Sequence, residues 1–200
     1  MPIIANEGFF KQKKGYEALA QVNGDFAGAI YDPKAGEWTL FRDHLGMRPL
    51  YLYLDRDFFA FSTDIRGLLA LPRVDASANE MRIYKSFLFQ YFLSLLETEY
   101  ANIRFVRPAA VTRIKLGKSG FTLRDRTYWK LHSKKVRLDS DEAYQQELRR
   151  LITDSVKRRL DAFPGVVGAE LSGGLDSSVI DVLINRMGRE GRYVSWSIDP

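Results

Sequence analysis

"ELSGGLDSSVI", Glu170 to Ile180, sets one serine, two glycines, an aspartate and two further serines between two apolar runs. Upstream, Val166 to Leu171 reads as a short buried strand. Downstream, Val179 to Met187 reads as a helix closed by Gly188, and Tyr193 to Ile198 as a second strand. Strand, loop, helix and strand make a βαβ unit, the opening of a parallel sheet. A loop between the carboxyl end of a strand and the amino end of a helix offers unpaired backbone N–H groups and the positive end of the helix dipole, which favour an anion. Gly173 and Gly174 let the backbone curve closely around it. Ser172, Ser177 and Ser178 add hydroxyl donors. A carboxylate beside a phosphate repels it unless a cation lies between them, so Asp176 points to a Mg²⁺-bound pyrophosphate, with Asp176 as the metal-facing residue. The loop lacks the lysine and the G-K-[ST] ending of a Walker loop.

The rest of the chain is of a different texture. Asp25 to Tyr31, the turn Asp32 to Gly36 and Trp38 to Phe41 read as a hairpin. Leu50 to Leu54 and Phe58 to Phe61, joined by Asp55-Arg56-Asp57, read as a second. Between them "RDHLGMRPLY", Arg42 to Tyr51, is a structured loop marked by Gly46 and Pro49. Ser62 to Leu71 reads as a short helix stopped by Pro72, and Glu80 to Leu96 as another with its apolar side inward. Val111 to Leu116 and Gly120 to Tyr128 read as strands joined by "GKSG". These elements favour an antiparallel sheet packed in layers. Trp38 and Trp129 are expected at core strand positions, and His44 as a structural loop histidine. A polar stretch beginning at His132, which is expected to be exposed, reads as a linker. It leads into a long helix with Asp139 as N-cap and Glu142 three residues on. Its apolar face is Tyr144, Leu148, Leu151, Ile152, Val156, Leu160 and Phe163, and Pro164-Gly165 ends it. The organisation expected is therefore a domain over 1–131, a linker over 132–138 and a second domain over 139–200.

Composition sets the outer bounds. Two hundred residues, 46% hydrophobic and 13% aromatic, suffice for one large or two small globular domains. The net charge of +5 comes from basic residues scattered among acids (Lys11, Lys13, Lys14; Arg149, Arg150; Lys157 to Arg159), a pattern of solvated faces with no nucleic-acid partner. The chain has no cysteine, which excludes disulfides, thiolate metal sites and cysteine catalysis within it. The apolar patch Phe87 to Leu96 is interrupted by Gln90 and Ser94 and is too short to span a bilayer. No signal segment or membrane partner is read, and a cytoplasmic location is expected.

The motifs carry a resemblance. "LSGGLDSS" is similar to the pyrophosphate loop of ATP-pyrophosphatase ligases. "GDFAGAIYD", "FRDHLGMRPLYLY" and "FAFSTDIRGLLALP" resemble the later part of the amidotransferase domain of glutamine-using asparagine synthetases, and "TYWKL" keeps that family's order. The resemblance runs from about Gly15 to Ile198. It implies an α/β protein, α+β overall: a partial antiparallel β-sandwich of the N-terminal-nucleophile type, then the first βαβ unit of a parallel-sheet ATP-pyrophosphatase domain. It also implies a ligase that frees ammonia from glutamine, activates aspartate with ATP and Mg²⁺, and releases AMP and pyrophosphate. Carried over, Ser172, Gly173, Gly174, Asp176 and Ser177 hold the pyrophosphate end of ATP, with Leu175 and Ser178 completing the loop. Leu171 and Ile198, at the strand ends, pack the adenosine.

The chain departs from the family in places. Pro2 stands after Met1 where the family has its nucleophilic cysteine, so no catalytic residue is assigned. Asn23-Gly24 adjoins the first strand and is not read as the family's oxyanion pair. The family's second pyrophosphate loop would follow Pro200. An internal piece of a synthetase, inactive alone, is expected. The exposed face of its two-stranded sheet is expected to favour self-association. A β-lactam or lasso-peptide-type cyclase without a glutaminase, or a non-catalytic amidotransferase-like protein, fits the same residues.

Overall fold

The computed structural model describes residues 15–88, 94, 96–163, 165–188 and 193–196. The expected adenosine contact Ile198 and most of the Phe87 to Leu96 patch lie outside the described residues. The chain divides into two compact units, Met1–His132 and Ser133–Pro200.

In the first unit, β1 (Ala27–Asp32) and β2 (Glu37–Arg42) form the expected hairpin. Its turn is built by Asp32, whose Oδ1 accepts the N–H groups of Lys34 (2.9 Å) and Ala35 (3.2 Å), and by Gly36 in the left-handed region at φ 60°. β3 (Tyr51–Leu54) and β4 (Phe59–Ser62) form the second hairpin, and β6 (Ala110–Gly117) with β7 (Gly120–Thr127) the third. They assemble as one sheet ordered β1-β2-β6-β7 and another ordered β4-β3-β5. The strand β5 (Ile103–Phe105) pairs antiparallel with β3. Three residues are too few to show alternation in the sequence. The buried Thr98 hydroxyl fixes its start, bonded to the carbonyl of Ile103 at 2.5 Å.

Strand alternation produces the layers. From β2, Leu40 and Trp38 enter a core with Ala27, Leu50, Leu52, Val106 and Ile114, which draws on both sheets, so the sheets pack face to face. The alternate residue Phe41 points the other way. It joins Val111, Phe26 and Leu19, the last from a 3₁₀ helix over Gly15–Gln21. On the outer side of the three-stranded sheet, Tyr53 and Ile103 pack against Leu68 of α1 (Ile65–Leu69). Leu40, Leu52, Ile114 and Leu68 are at most 1% exposed. Each such side chain contributes roughly 1.5–3 kcal/mol by leaving water.

Several boundaries differ from expectation. Ser62 belongs to β4, paired with Tyr51, so α1 starts only after Asp64, whose side chain accepts the Arg66 N–H as N-cap. α2 begins at Glu80 as expected and is described to Leu88, but Leu96 accepts a bond from Phe105 N at 2.8 Å and is no longer helical. Of the apolar residues of α2, Ile83 is half-buried, whereas Met81, Tyr84, Phe87 and Leu88 are exposed, so the expected inward face is only partly formed over the described residues. β7 stops at Thr127 because the N–H groups of Tyr128 and Trp129 turn to the carbonyl of Ala109. Trp129 therefore lies past the strand, edge-on to His44 at 4.9 Å.

The loop after β2 is tied by two opposite charges. Asp43, 2% exposed, accepts the N–H groups of Leu45 (3.1 Å) and Met47 (2.9 Å) on Oδ1, and those of Arg48 (3.0 Å) and Phe26 (3.3 Å) on Oδ2. Arg42, 5% exposed, donates to the carbonyls of Arg48 (2.8 Å), Val106 (2.8 Å) and Gly46. Burial lowers the Arg42 pKa, and the neighbouring Asp43 charge opposes that shift. Gly46 has φ 68°, and a Cβ there would meet Pro108 at 2.8 Å, so only glycine fits.

In the second unit, α3 (Asp141–Asp161) precedes β8 (Val167–Glu170), α4 (Leu175–Arg186) and β9 (Tyr193–Trp196). β8 and β9 are parallel, joined through α4, which is the βαβ unit expected. Gly188 at φ 69° follows α4 and donates to the Asn185 carbonyl. The N-cap of α3 is Ser140, one residue later than the expected Asp139. Its hydroxyl accepts the Ala143 N–H at 3.2 Å, so Glu142 is not in the position of a capping box. The apolar face of α3 is covered unevenly: Leu160 and Val156 pack with Ala169 and Ile184, Ile152 is half-buried, and Tyr144, Leu148, Leu151 and Phe163 are exposed. His132 is exposed, as expected. Among the described residues no helix is long and apolar enough to cross a membrane.

Asp43→Ala is expected to destabilise the first unit by about 3 kcal/mol, because one buried N–H group, that of Phe26, and three partly buried ones, those of Leu45, Met47 and Arg48, lose their acceptor, at about 1–3 kcal/mol for a buried group and less for the others. Asp43→Asn keeps one carbonyl oxygen and should lose less. Urea unfolding measures both, and a loss below about 1 kcal/mol for Asp43→Ala would contradict this account of the loop.

Candidate functional site: a serine-glycine loop at a helix amino end

β8 delivers the chain to the loop, and β9 holds its first residue: the Leu171 N–H donates to the Trp196 carbonyl at 2.8 Å. This anchor was not read from the sequence, and the signal for it lies in the register that pairs Glu170 with Trp196. Gly173 then turns the backbone at φ 78°, with open space where a Cβ would sit. Gly174 is the N-cap of α4 at φ −77° and ψ 161°, with no side-chain cap. The helix starts at Leu175, four residues before the Val179 expected. Two glycines end the extended backbone, and the Gly174 carbonyl, which accepts the Ser178 N–H and hydroxyl, draws Asp176, Ser177 and Ser178 into helical dihedrals despite their preference for turns.

That earlier start changes the character of the site. Leu175, Asp176, Ser177 and Ser178 form the first turn of a helix, not a free loop. The first intrahelical bond is made by the Ser178 N–H to the Gly174 carbonyl at 3.2 Å. The N–H groups of Leu175, Asp176 and Ser177 precede it and lie at the positive end of the dipole. Asp176 is exposed there.

The serines are linked to one another. The Ser177 hydroxyl accepts the Ser172 N–H (3.2 Å), lies 3.0 Å from the Ser172 hydroxyl and donates to the Gly174 carbonyl (3.2 Å). The Ser178 hydroxyl donates to the same carbonyl at 2.7 Å. Leu171, Ser177 and Ser178 are half-buried, whereas Ser172, Gly173, Gly174, Leu175 and Asp176 are exposed. The structure thus brings Leu171 to Ser178 together around one helix end.

No group of three or more His, Cys, Asp or Glu residues that could hold a metal ion occurs among the described residues. Asp176 is the one carboxylate of the loop. A single carboxylate suits a magnesium ion that takes its remaining ligands from water and from phosphate oxygens.

In the first unit, His44 is held by its surroundings. Its Nε2 lies 3.2 Å from the Ala20 carbonyl, and its ring meets Phe26, Tyr128 and Trp129 edge-on. The Tyr128 hydroxyl donates to the Arg42 carbonyl at 2.5 Å. Burial first, and then the Asp43 charge, push the phenol pKa up. These contacts make both side chains parts of the loop's packing. A groove of about 420 Å³ between α3 and α4 is lined by Leu148, Ile152, Val179 and Leu183 and includes no residue of the serine-glycine loop.

Comparison with known proteins gives two matches in chain order. Residues 9–129 match the family described as "Glutamine amidotransferase domain", and residues 147–198 match "Asparagine synthase". The chain is 32% identical to a putative asparagine synthetase (glutamine-hydrolyzing) 2 of Methanocaldococcus jannaschii, over 84% of this chain and 32% of that protein. It is 29% identical to the asparagine synthetase (glutamine-hydrolyzing) 3 of Bacillus subtilis, over 92% of this chain and 29% of that protein. A putative asparagine synthetase (glutamine-hydrolyzing) of Mycobacterium tuberculosis is 26% identical over 86% of this chain and 26% of its own length. The chain therefore spans about a third or less of these curated relatives. With the amidotransferase match covering more than half of its residues and the synthase match following it, the chain belongs to the glutamine amidotransferase domain family, joined in the order of the asparagine synthetases.

Proposed function

We propose that this chain belongs to an ATP-dependent amide ligase and supplies one wall of its nucleotide site, with the serine-glycine loop receiving the pyrophosphate end of ATP. The carrying observation is the helix end itself: three backbone N–H groups, at Leu175, Asp176 and Ser177, stand beyond the first intrahelical bond behind a left-handed Gly173. The names of the relatives support aspartate as the acceptor and glutamine as the ammonia source. In the proposed reaction an aspartate carboxylate oxygen attacks the α-phosphorus of ATP. The bond to the pyrophosphate oxygen breaks, and ammonia then displaces AMP at the acyl carbon. The loop's part is electrostatic. Its N–H groups are oriented before the reaction and meet charge as it develops on the leaving pyrophosphate. Asp176 would hold Mg²⁺, which supplies charge neutralisation between the carboxylate and the phosphates. Leu171, at the end of β8, would contact the adenosine. The substrates of this reading suit a cytoplasmic protein.

Asp176→Ala in the intact protein carrying both segments is expected to reduce pyrophosphate release by about a hundredfold or more, the scale of losing one preorganised stabilising group. The circular dichroism spectrum should be unchanged. Pyrophosphate release at the unsubstituted rate would remove Asp176 from the site. Aspartate, ATP, Mg²⁺ and ammonia as the assay mixture also test the acceptor, since inertness towards aspartate would indicate a different carboxylate.

The 200-residue chain alone is expected to release no glutamate from glutamine, because it contains no thiol to act as nucleophile. A coupled glutamate assay checks this, and turnover above a no-protein control would refute it.

Self-association belongs to the same proposal. On the β8–β9 pair, Val194 is 56% exposed and Trp196 50% exposed, so the sheet presents apolar surface to solvent. Sedimentation of the chain alone is expected to show mass rising with concentration. A constant monomer mass across the micromolar range would exclude it.

A further inference from the structure

The cap of α4 is built without a capping side chain. Gly174 has none with which to fix the first peptide of the helix. Its carbonyl is held from the other direction. It accepts the Ser178 hydroxyl at 2.7 Å, the Ser178 N–H at 3.2 Å and the Ser177 hydroxyl at 3.2 Å. In a trans peptide the C=O and the following N–H point in opposite directions. Drawing the Gly174 carbonyl down into the helix body therefore aims the Leu175 N–H out of the helix end. That N–H is one of the groups the helix itself leaves without a partner.

The two serines differ in their commitments. Ser177 is also engaged with the backbone N–H and hydroxyl of Ser172, so it ties the loop across its mouth. Ser178 makes the shortest of the three contacts to Gly174. A serine hydroxyl carries one proton. In this structure the Ser178 proton is given to the Gly174 carbonyl, a commitment the direct donor role expected from the sequence does not include.

Resting on the pyrophosphate-site reading, we propose that Ser178 is a positioning residue whose hydroxyl fixes the Gly174–Leu175 peptide, so that the Leu175 N–H faces the pyrophosphate before it binds. The role belongs to the ligand-free protein as much as to the complex. It substitutes for the side-chain cap that a close-approach glycine lacks.

The test uses the 200-residue chain, magnesium pyrophosphate as the probe, and amide NMR as the readout. Ser178→Ala should weaken binding about three- to tenfold, the scale of one hydrogen bond. It should also shift the Leu175 amide resonance in the ligand-free protein. Ser178→Thr, whose Oγ1 can bond the carbonyl four residues back, should restore both. A Ser178→Ala variant that binds normally overturns the proposal and leaves the site intact. Weakened binding with an unmoved ligand-free Leu175 resonance also overturns it, since that pattern marks a direct contact between Ser178 and the ligand. Failure of Thr to restore what Ala loses counts against it as well. No pyrophosphate binding by the unsubstituted chain, with its helical spectrum intact, overturns the site reading and the positioning role together.

Discussion

The buried carboxylate of Asp43 is the constraint on which the first unit depends. It gathers backbone N–H groups from both ends of one problem: Leu45, Met47 and Arg48 in the loop leaving β2, and Phe26 in the segment entering β1. Its own backbone continues the tie, accepting Ala109 N at 3.0 Å and donating to the Phe26 carbonyl at 2.8 Å. Arg42 does the complementary work on carbonyls. A charge removed from water is tolerable when its remaining hydrogen-bonding capacity is met. Here one residue serves donors, its neighbour serves acceptors, and the loop between the two sheets has a single shape. Ala109 takes a left-handed φ of 51° to meet this arrangement, a conformation that costs a non-glycine residue about 1–2 kcal/mol.

The second unit is organised by a different economy. Its buried core is small, centred on Leu160, Ala169 and Ile184. Parallel strands are ordinarily covered on both faces. Here α3 and α4 supply apolar residues to one side, while Val194 and Trp196 stay exposed. The serine-glycine turn is nevertheless defined, because its geometry is local. It needs only the end of β8, the carbonyl of Trp196 and the first turn of α4. A site made from backbone groups can be set by a single βαβ unit, whereas a pocket made from side chains needs more walls.

What the sequence by itself determined follows from short-range rules. The hairpins β1–β2, β3–β4 and β6–β7 were legible because turn residues such as Asp32 and Gly36 separate apolar alternations. The βαβ unit and its loop were legible because two glycines and the serines stand between a strand and a helix pattern. His44 was legible as structural because the resembled family gives a histidine of that loop no catalytic role.

Tertiary structure decided the rest. β5 exists because Ile103 to Phe105 finds β3 as a partner, and three residues carry no periodicity by which to announce it. The apolar stripe of α3 runs along its whole length, yet full burial comes only at Leu160, since periodicity reports which residues share a face and not whether anything covers it. The start of α4 at Leu175 was missed for a related reason. Serine and aspartate prefer loops when considered singly, but the Gly174 carbonyl accepts the Ser178 N–H and hydroxyl and draws them into the first turn. Residue types name the groups that can bond, and only the folded chain determines which partner each one meets.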